Sequence, residues 1–196
     1  MKTIVLYQSK NGATKQYAED IARGISCEVL PLKKFRWKRI DEFDTIVFGG
    51  WVMGGQIQGL NDFLLHWDAM SEKNVLVFSV GMSFKTPQSR QQLIDSNVLY
   101  PYHIRFYQFR GSFDYSKLGP IQKVLINTSI RAMANNPDSA DDVAMLENLK
   151  TTPIQIYDEE AMNKILSVLH RLAAEPKKGE PETIENPEIV DPENRA

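Results

Sequence analysis

The sequence predicts a three-layer α/β/α sandwich built on a five-stranded parallel sheet in the order 2-1-3-4-5. Three observations carry that reading. Short apolar, β-branched runs alternate with stretches of helical period along most of the chain. That alternation implies right-handed βαβ units, with helices on both faces of a parallel sheet. There are five such runs, which favours this order over a full six-stranded dinucleotide fold.

Thr3–Tyr7 reads as a buried first strand that ends in a polar, glycine-containing loop. From Thr14 the period changes, and Tyr17, Ala18, Ile21, Ala22 and Ile25 fall on one helical face. Cys27–Leu30 is a second strand closed by Pro31, Asp44–Gly50 a third, and Asn74–Val80 a fourth. Ile57, Leu60, Phe63, Leu64 and Trp67 mark a helix, and Pro87 opens another through Gln91, Leu93 and Ile94. His103–Phe109 is the fifth strand. Glu159–Ala174 is the last helix, with Met162, Ile165, Leu166, Leu169 and Leu172 on its apolar side.

The expected domain spans residues 1–174, and two segments lie outside its minimal fold. Residues 111–157 form an insert where a short connection is usual. The insert holds a predicted helix Pro120–Ala134, a polar turn Asn135–Asp142 and a short helix through Leu149. Residues 175–196 form an acidic, proline-rich tail without aromatics, expected to stay flexible and to be dispensable for folding.

Of the 196 residues, 42% are apolar and 24% charged, which is ordinary globular usage. The single cysteine, Cys27, allows no internal disulfide or cysteine cluster and suits a reducing cytosol. The apolar N-terminal run is too short for a signal peptide, and no stretch approaches a membrane span. Residues 1–150 carry 18 Lys and Arg against 15 Asp and Glu, whereas residues 151–196 carry 5 against 10. The body is therefore mildly basic and the end acidic. Cations concentrate in Lys33–Arg39 and along His103–Arg131, surfaces suited to anionic substrate or lipid headgroups.

Ligands of an open parallel sheet sit beyond the carboxyl ends of its strands. The loop Ser9-Lys10-Asn11-Gly12-Ala13-Thr14 leaves the first of those ends and enters the first helix. Successive N–H groups at a helix N-terminus form an anion site, and Ser9, Asn11 and Thr14 add side-chain donors. Such a cup fits a phosphate monoester better than a bridging pyrophosphate. Neither G-x-G-x-x-G after the first strand nor G-x-x-x-x-G-K-[ST] occurs. A phospho-receiver site would need acidic residues where Tyr7-Gln8 and Gly49-Gly50 stand.

Residues Val5–Ile21, V-L-Y-Q-S-K-N-G-A-T-K-Q-Y-A-E-D-I, resemble the N-terminal signature of the flavodoxin family. The resemblance implies a flavodoxin-like fold with FMN as cofactor and Ser9–Thr14 as its phosphate loop. It further implies that the isoalloxazine ring lies between two other loops. One is Gly50–Gln56, where Trp51 is the candidate to stack on the ring, flanked by Val52 and Met53, and Gly54 and Gly55 allow a carbonyl to face it. The other is Ser79–Phe84, where Ser79, Val80 and Gly81 lead to Met82 and Phe84 as cover for the second face.

The carboxyl-terminal half is similar to flavodoxin-domain proteins that include quinone-dependent protoporphyrinogen oxidases. The similar residues are Gly111-Ser112-Phe113-Asp114-Tyr115, the basic-apolar helix that follows, and Ile156-Tyr157-Asp158. Met53 and Gly54 depart from that branch, which carries a cation and an aromatic there. The resemblance implies an FMN-dependent oxidoreductase acting on a small anionic substrate, with a quinone or a redox protein as acceptor. The alternatives are a flavodoxin-type electron carrier and a flavin-free binding scaffold. The expected setting is cytoplasmic with peripheral contact at the inner membrane face, and no nucleic-acid partner is expected. His66, His103 and His170 lack metal-ligand spacing. Cys27 reads as a small hydrophobe, and no metal site or separate catalytic side chain is assigned.

Overall fold

Hydrophobic alternation along each strand divides the core into two. The structure, a computed structural model, describes residues 1–82, 85–112, 114–134, 143–144, 147–148, 150–153 and 156–174. The chain divides into one unit of Met1–Arg110 with Asp158–Ala196 and a second of Gly111–Tyr157.

In the first unit, β1 (Thr3–Gln8), β2 (Glu28–Pro31), β3 (Thr45–Met53), β4 (Gln56–Ile57), β5 (Asn74–Gly81) and β6 (Ile104–Arg110) make one sheet. Its parallel path runs β2-β1-β3-β5-β6, with β4 paired antiparallel to β3. Numbered without β4, that path is the expected 2-1-3-4-5. Ile4, Leu6, Ile46, Phe48, Val75, Val77 and Phe106 face one layer, against Leu60, Phe63, Leu93 and Ile94. That layer holds α2 (Leu60–Leu64) and α3 (Pro87–Ser96). Val5, Val47, Leu76, Phe78 and Phe109 face the other, formed by α1 (Ala13–Gly24) and the last helix, α5 (Glu159–Ala174). Each strand residue buried this way contributes about 1.5–3 kcal/mol relative to exposure.

Two boundaries differ from the sequence reading. Trp51, Val52 and Met53 continue β3 instead of starting a loop, because Gly54 (φ +58) and Gly55 (φ +78) make a two-residue hairpin to β4. Positive φ at both turn positions is what the type I′ hairpin turn requires, and glycine supplies it without steric cost. The helix expected from Ile57 to Trp67 is only α2. Ile57 belongs to β4, Gly59 (φ +84) turns the chain where its Cβ would meet Gln8, and Trp67–Ala69 forms a separate 3₁₀ turn. The apolar spacing of Ile57, Leu60 and Phe63 imitates a helix but is met by a strand end and a turn.

Capping fixes α3. Thr86 Oγ1 accepts from the Ser89 N–H at 3.0 Å and Ser89 Oγ accepts from the Thr86 N–H at 3.0 Å, with Pro87 at the first helical position. No described helix is long and apolar enough to cross a membrane.

In the second unit, α4 (Pro120–Met133) covers the predicted helix, with Ile130 buried and Ile121 and Val124 exposed. Among the side chains of this helix that are described, Ile130 is buried and Ile126 half-buried. Val143, Ala144, Glu147 and Asn148 are helical. Ser112 joins the two ends of this unit, its hydroxyl accepting from the Ile156 N–H at 3.1 Å and lying 3.2 Å from the Ile156 carbonyl. Residues 135–142 and 175–196 lie outside the described residues.

Both connections to the second unit are pinned within the first by one phenol. The Tyr17 hydroxyl donates to the Arg110 carbonyl at 2.6 Å and accepts from the Asp158 N–H at 2.6 Å. Tyr17→Phe should therefore strand a carbonyl and an N–H and destabilise the protein by about 1–3 kcal/mol. Thermal melting should show a transition several degrees lower. An unchanged transition would mean that water replaces the hydroxyl at no cost.

Candidate functional site

At the carboxyl end of β1 the chain must turn sharply to begin α1. Ser9 Oγ accepts from the Gly12 N–H at 3.2 Å, Gly12 sits at φ +93, and its carbonyl accepts the first helical bond from Gln16 at 2.9 Å. The N–H groups of Ala13, Thr14 and Lys15 thus precede any i−4 carbonyl partner and share the positive end of the helix dipole. No acidic residue occupies the first turn, and a Cβ built on Gly12 would meet nothing within 4 Å. The backbone there is open to an approaching group.

Thr14 is 2% exposed as a residue, while its hydroxyl, which bonds to no described residue, remains accessible to an approaching group. Ser9 and Ala13 are half-buried, and Lys10, Asn11 and Gly12 exposed. A terminal phosphate has the chemistry these donors fit.

The structure brings this loop together with the end of β3. The Lys10 ammonium lies over the Trp51 ring, 5.6 Å from its centroid. Trp51 is half-buried and stands in line with Val47 and Gly49, whereas Val52 turns to the opposite face and packs on the core there. Glycine at position 49 is obligatory for this packing, since a Cβ would fall 2.0 Å from Phe78 Cζ. The hairpin beyond Trp51 is latched by Asn97, whose carboxamide donates to the Gly55 and Leu93 carbonyls, each at 2.8 Å, and accepts from the Ile57 N–H at 2.8 Å. Of the two glycines expected to offer a carbonyl, Gly55 already has its carbonyl engaged; Gly54 is exposed at the tip.

Ser79 and Val80 are inside β5, 0% and 5% exposed, in keeping with the expected fourth strand Asn74–Val80, and as strand core they do not line the loop that follows it. Ser79 Oγ is buried without a partner next to Gly50. Gly81 and Met82 are half-buried at the strand end. Phe84 lies outside the described residues.

Sequence reasoning missed a charged cluster beside this rim. Asp158 Oδ1 accepts from Lys85 Nζ at 2.9 Å and from the Ala161 N–H at 3.1 Å, capping α5, while Oδ2 accepts from the Arg110 N–H at 3.0 Å. Burial pushes the Asp158 pKa up, but the Lys85 ammonium and the two N–H donors outweigh it and hold it below the ordinary carboxylate value. Burial raises the Tyr17 phenol to about 12, so it stays protonated as the donor to Arg110. The available signal was Asp158 just before Glu159, a residue type that favours helix N-caps. Cys27 is half-buried with its thiol pushed up to about 11 by burial, which suits a packing role. No group of three or more potential metal ligands occurs among the described residues.

In the second unit, Lys123 Nζ lies over the Tyr115 ring at 5.3 Å, and Asn127 Nδ2 donates to Tyr115 Oη at 3.3 Å. Lys117 ends a 3₁₀ turn (Tyr115–Lys117) that precedes α4.

A doubly wound parallel sheet, with the Ser9–Thr14 loop at its first strand-to-helix crossing and an aromatic at the end of the neighbouring strand, defines an open-sheet α/β protein. The family profile described as flavodoxin domain matches residues 4–141, and the chain belongs to that family. Among solved structures, a flavodoxin from the domain Archaea is 18% identical, with 56% of this chain and 83% of that chain covered and a TM-score of 0.40. Two-electron reduced Megasphaera elsdenii flavodoxin is 15% identical, covering 55% and 84%, with a TM-score of 0.43. The Trp repressor binding protein from Bacillus subtilis is 17% identical, covering 56% and 85%, with a TM-score of 0.45. No match was found among curated proteins.

The Asp158 cluster predicts an acid-sensitive fold. Its folded pKa is depressed, so its contribution is present above the unfolded value near pH 4 and is lost as pH falls through the folded one. Asp158→Asn should be less stable than wild type at pH 7, and the gap should narrow on acidification below pH 4. A gap independent of pH would assign the role to shape and not charge.

Proposed function

We propose that this protein binds FMN and is a flavin-dependent oxidoreductase, with a small anionic substrate and a quinone acceptor, as in the protoporphyrinogen oxidase branch. The observation that carries the reading is the meeting of the Ser9–Thr14 loop with Trp51 through Lys10. It joins an anion site to an aromatic surface within one rim of the sheet. The N–H groups of Ala13, Thr14 and Lys15, with the Thr14 and Ser9 hydroxyls, would hold the phosphate, and Trp51 would wall the ring. Bound flavin supplies the redox chemistry, and the protein contributes binding, orientation and exclusion of water.

Two further features support an enzyme over a small electron carrier. The body is mildly basic, whereas a carrier steered onto basic reductases is better served by an acidic surface. The second unit offers a cation held over an aromatic ring, Lys123 on Tyr115, a pairing suited to a flat anion. Flavin loops alone hold a ring common to the family and cannot choose the substrate.

The chromophore decides the first part. Protein purified in the dark should show flavin absorbance, and mass spectrometry of the extract should return FMN; FAD alone would overturn the assignment. Thr14→Val removes one donor to a charged acceptor, worth about 1.5–3 kcal/mol, so FMN affinity should fall about tenfold or more. A change within twofold would locate the phosphate elsewhere. Turnover of a porphyrinogen with menadione as acceptor should drop in Lys123→Ala with FMN retained. Equal rates would favour the electron carrier.

A further inference from the structure

Helix α3 ends in a Schellman motif, in which the Leu99 N–H donates to the Ile94 carbonyl at 3.1 Å and the Val98 N–H to the Asp95 carbonyl at 3.2 Å. That motif places its next-to-last residue in the left-handed region, where glycine is the usual occupant. Here the residue is Val98, at φ +50. A β-branched side chain at positive φ is strained. The strain gains the core nothing, because Val98 is 57% exposed while its neighbour Leu99 is fully buried. Fold stability therefore leaves the valine side chain unexplained.

Val98 lines a groove of about 420 Å³ together with Leu65, which is 81% exposed at the end of α2. That volume lies in the range of small-molecule sites. Leu64 and the Tyr102 ring extend the apolar lining. Asn61, Ser96 and the Tyr102 hydroxyl add polar groups whose side chains make no hydrogen bond among the described residues. Gln56 and Asn97 complete the lining, which among the described residues contains no carboxylate, ammonium, guanidinium or imidazole group.

We infer that this groove is a second ligand site, apart from the Ser9–Thr14 and Trp51 rim, for a small uncharged ring compound bearing oxygen acceptors. Val98 and Leu65 supply the apolar contact, and Asn61 and Tyr102 donate to the oxygens. A charged ligand would enter without a counter-charge and is disfavoured. The site stands on its own geometry and does not depend on the flavin assignment.

Menadione serves as the probe, titrated into the full-length protein and followed by ¹H–¹⁵N spectra. The Asn61 side-chain amide should shift on saturation, while the Trp51 indole N–H should not. Val98→Gly should melt at or above the wild-type temperature, since the strain is relieved, yet bind menadione about fivefold or more weakly for want of the buried methyls. Leu65→Ser should weaken binding similarly with folding unchanged. Naphthoquinone-2-sulfonate should bind at least tenfold more weakly than menadione. Shifts at Trp51 with Asn61 unmoved would overturn the proposal, as would equal affinity in wild type and Val98→Gly. If Leu65→Ser changes the sedimentation behaviour and leaves menadione affinity intact, the groove is instead an interface between copies of the chain, which also overturns it. Menadione binding at Asn61 in protein that carries no flavin would sustain this site while removing the FMN reading.

Discussion

A continuous domain can carry a 47-residue excursion only if the chain's two exits are held at a fixed separation, and here one phenol oxygen does so. Tyr17 projects from α1 into the core, its ring 4.7 Å from Phe109, and its hydroxyl bridges the last residue of β6 to the residue that caps α5. Arg110 and Asp158 are bonded to each other as well, and Lys85 closes the group from the segment after β5. The sheet edge, the first helix, the last helix and the rim are thereby tied at one point. Because Tyr17 and Asp158 are buried and Arg110 half-buried, the bonds among these three form in a medium where an unmade partner is costly. The arrangement lets the domain close as if nothing were inserted.

What the sequence made legible follows from the range over which its signals act. β1, α1 and α5 are each governed by a local period, and their apolar faces are where Val5, Tyr17 and Leu169 place them. The turn from β1 into α1 was legible for the same reason, since the period changes within a few consecutive residues. The Tyr17 bridge was not, because its partners lie 93 and 141 residues away and a phenol has no distinctive spacing. The β3–β4 hairpin is a different failure. Met53-Gly54-Gly55-Gln56 carries a two-residue turn signal, but glycine also marks loops that approach ligands, and composition alone does not choose between them. Asn97 settles it by holding both the Gly55 carbonyl and the Ile57 N–H.

The hairpin changes how the rim is built. Residues on a strand alternate between faces, so Trp51 and Val52 cannot both line one ligand, as a loop would allow. The register of β3 with β1 and β5 fixes which face Trp51 takes. That face is the one toward α1, whose N-terminus follows the Ser9–Thr14 loop, and it is why Lys10 reaches the indole. The aromatic is thus held by the sheet itself and not by a mobile connection, which suits a wall that must be in place before a ligand arrives.

Charge then separates the roles of the two units. In the first unit, Lys85 and Lys15 near the rim are committed to salt bridges with Asp158 and Glu19, while Lys10 lies over the Trp51 ring. In the second, α4 has no acidic residue, and Lys123 is paired only with an aromatic face among the contacts described. A cation on a ring keeps most of its field available to an incoming anion, whereas one in a salt bridge does not. On the proposed reading, the first unit would therefore fix the cofactor through backbone N–H groups that need no counter-charge, and the second would attract the substrate. The insertion adds its own charge and aromatic surface, and the Tyr17 bridge holds the residues on either side of it, Arg110 and Asp158, within the first unit.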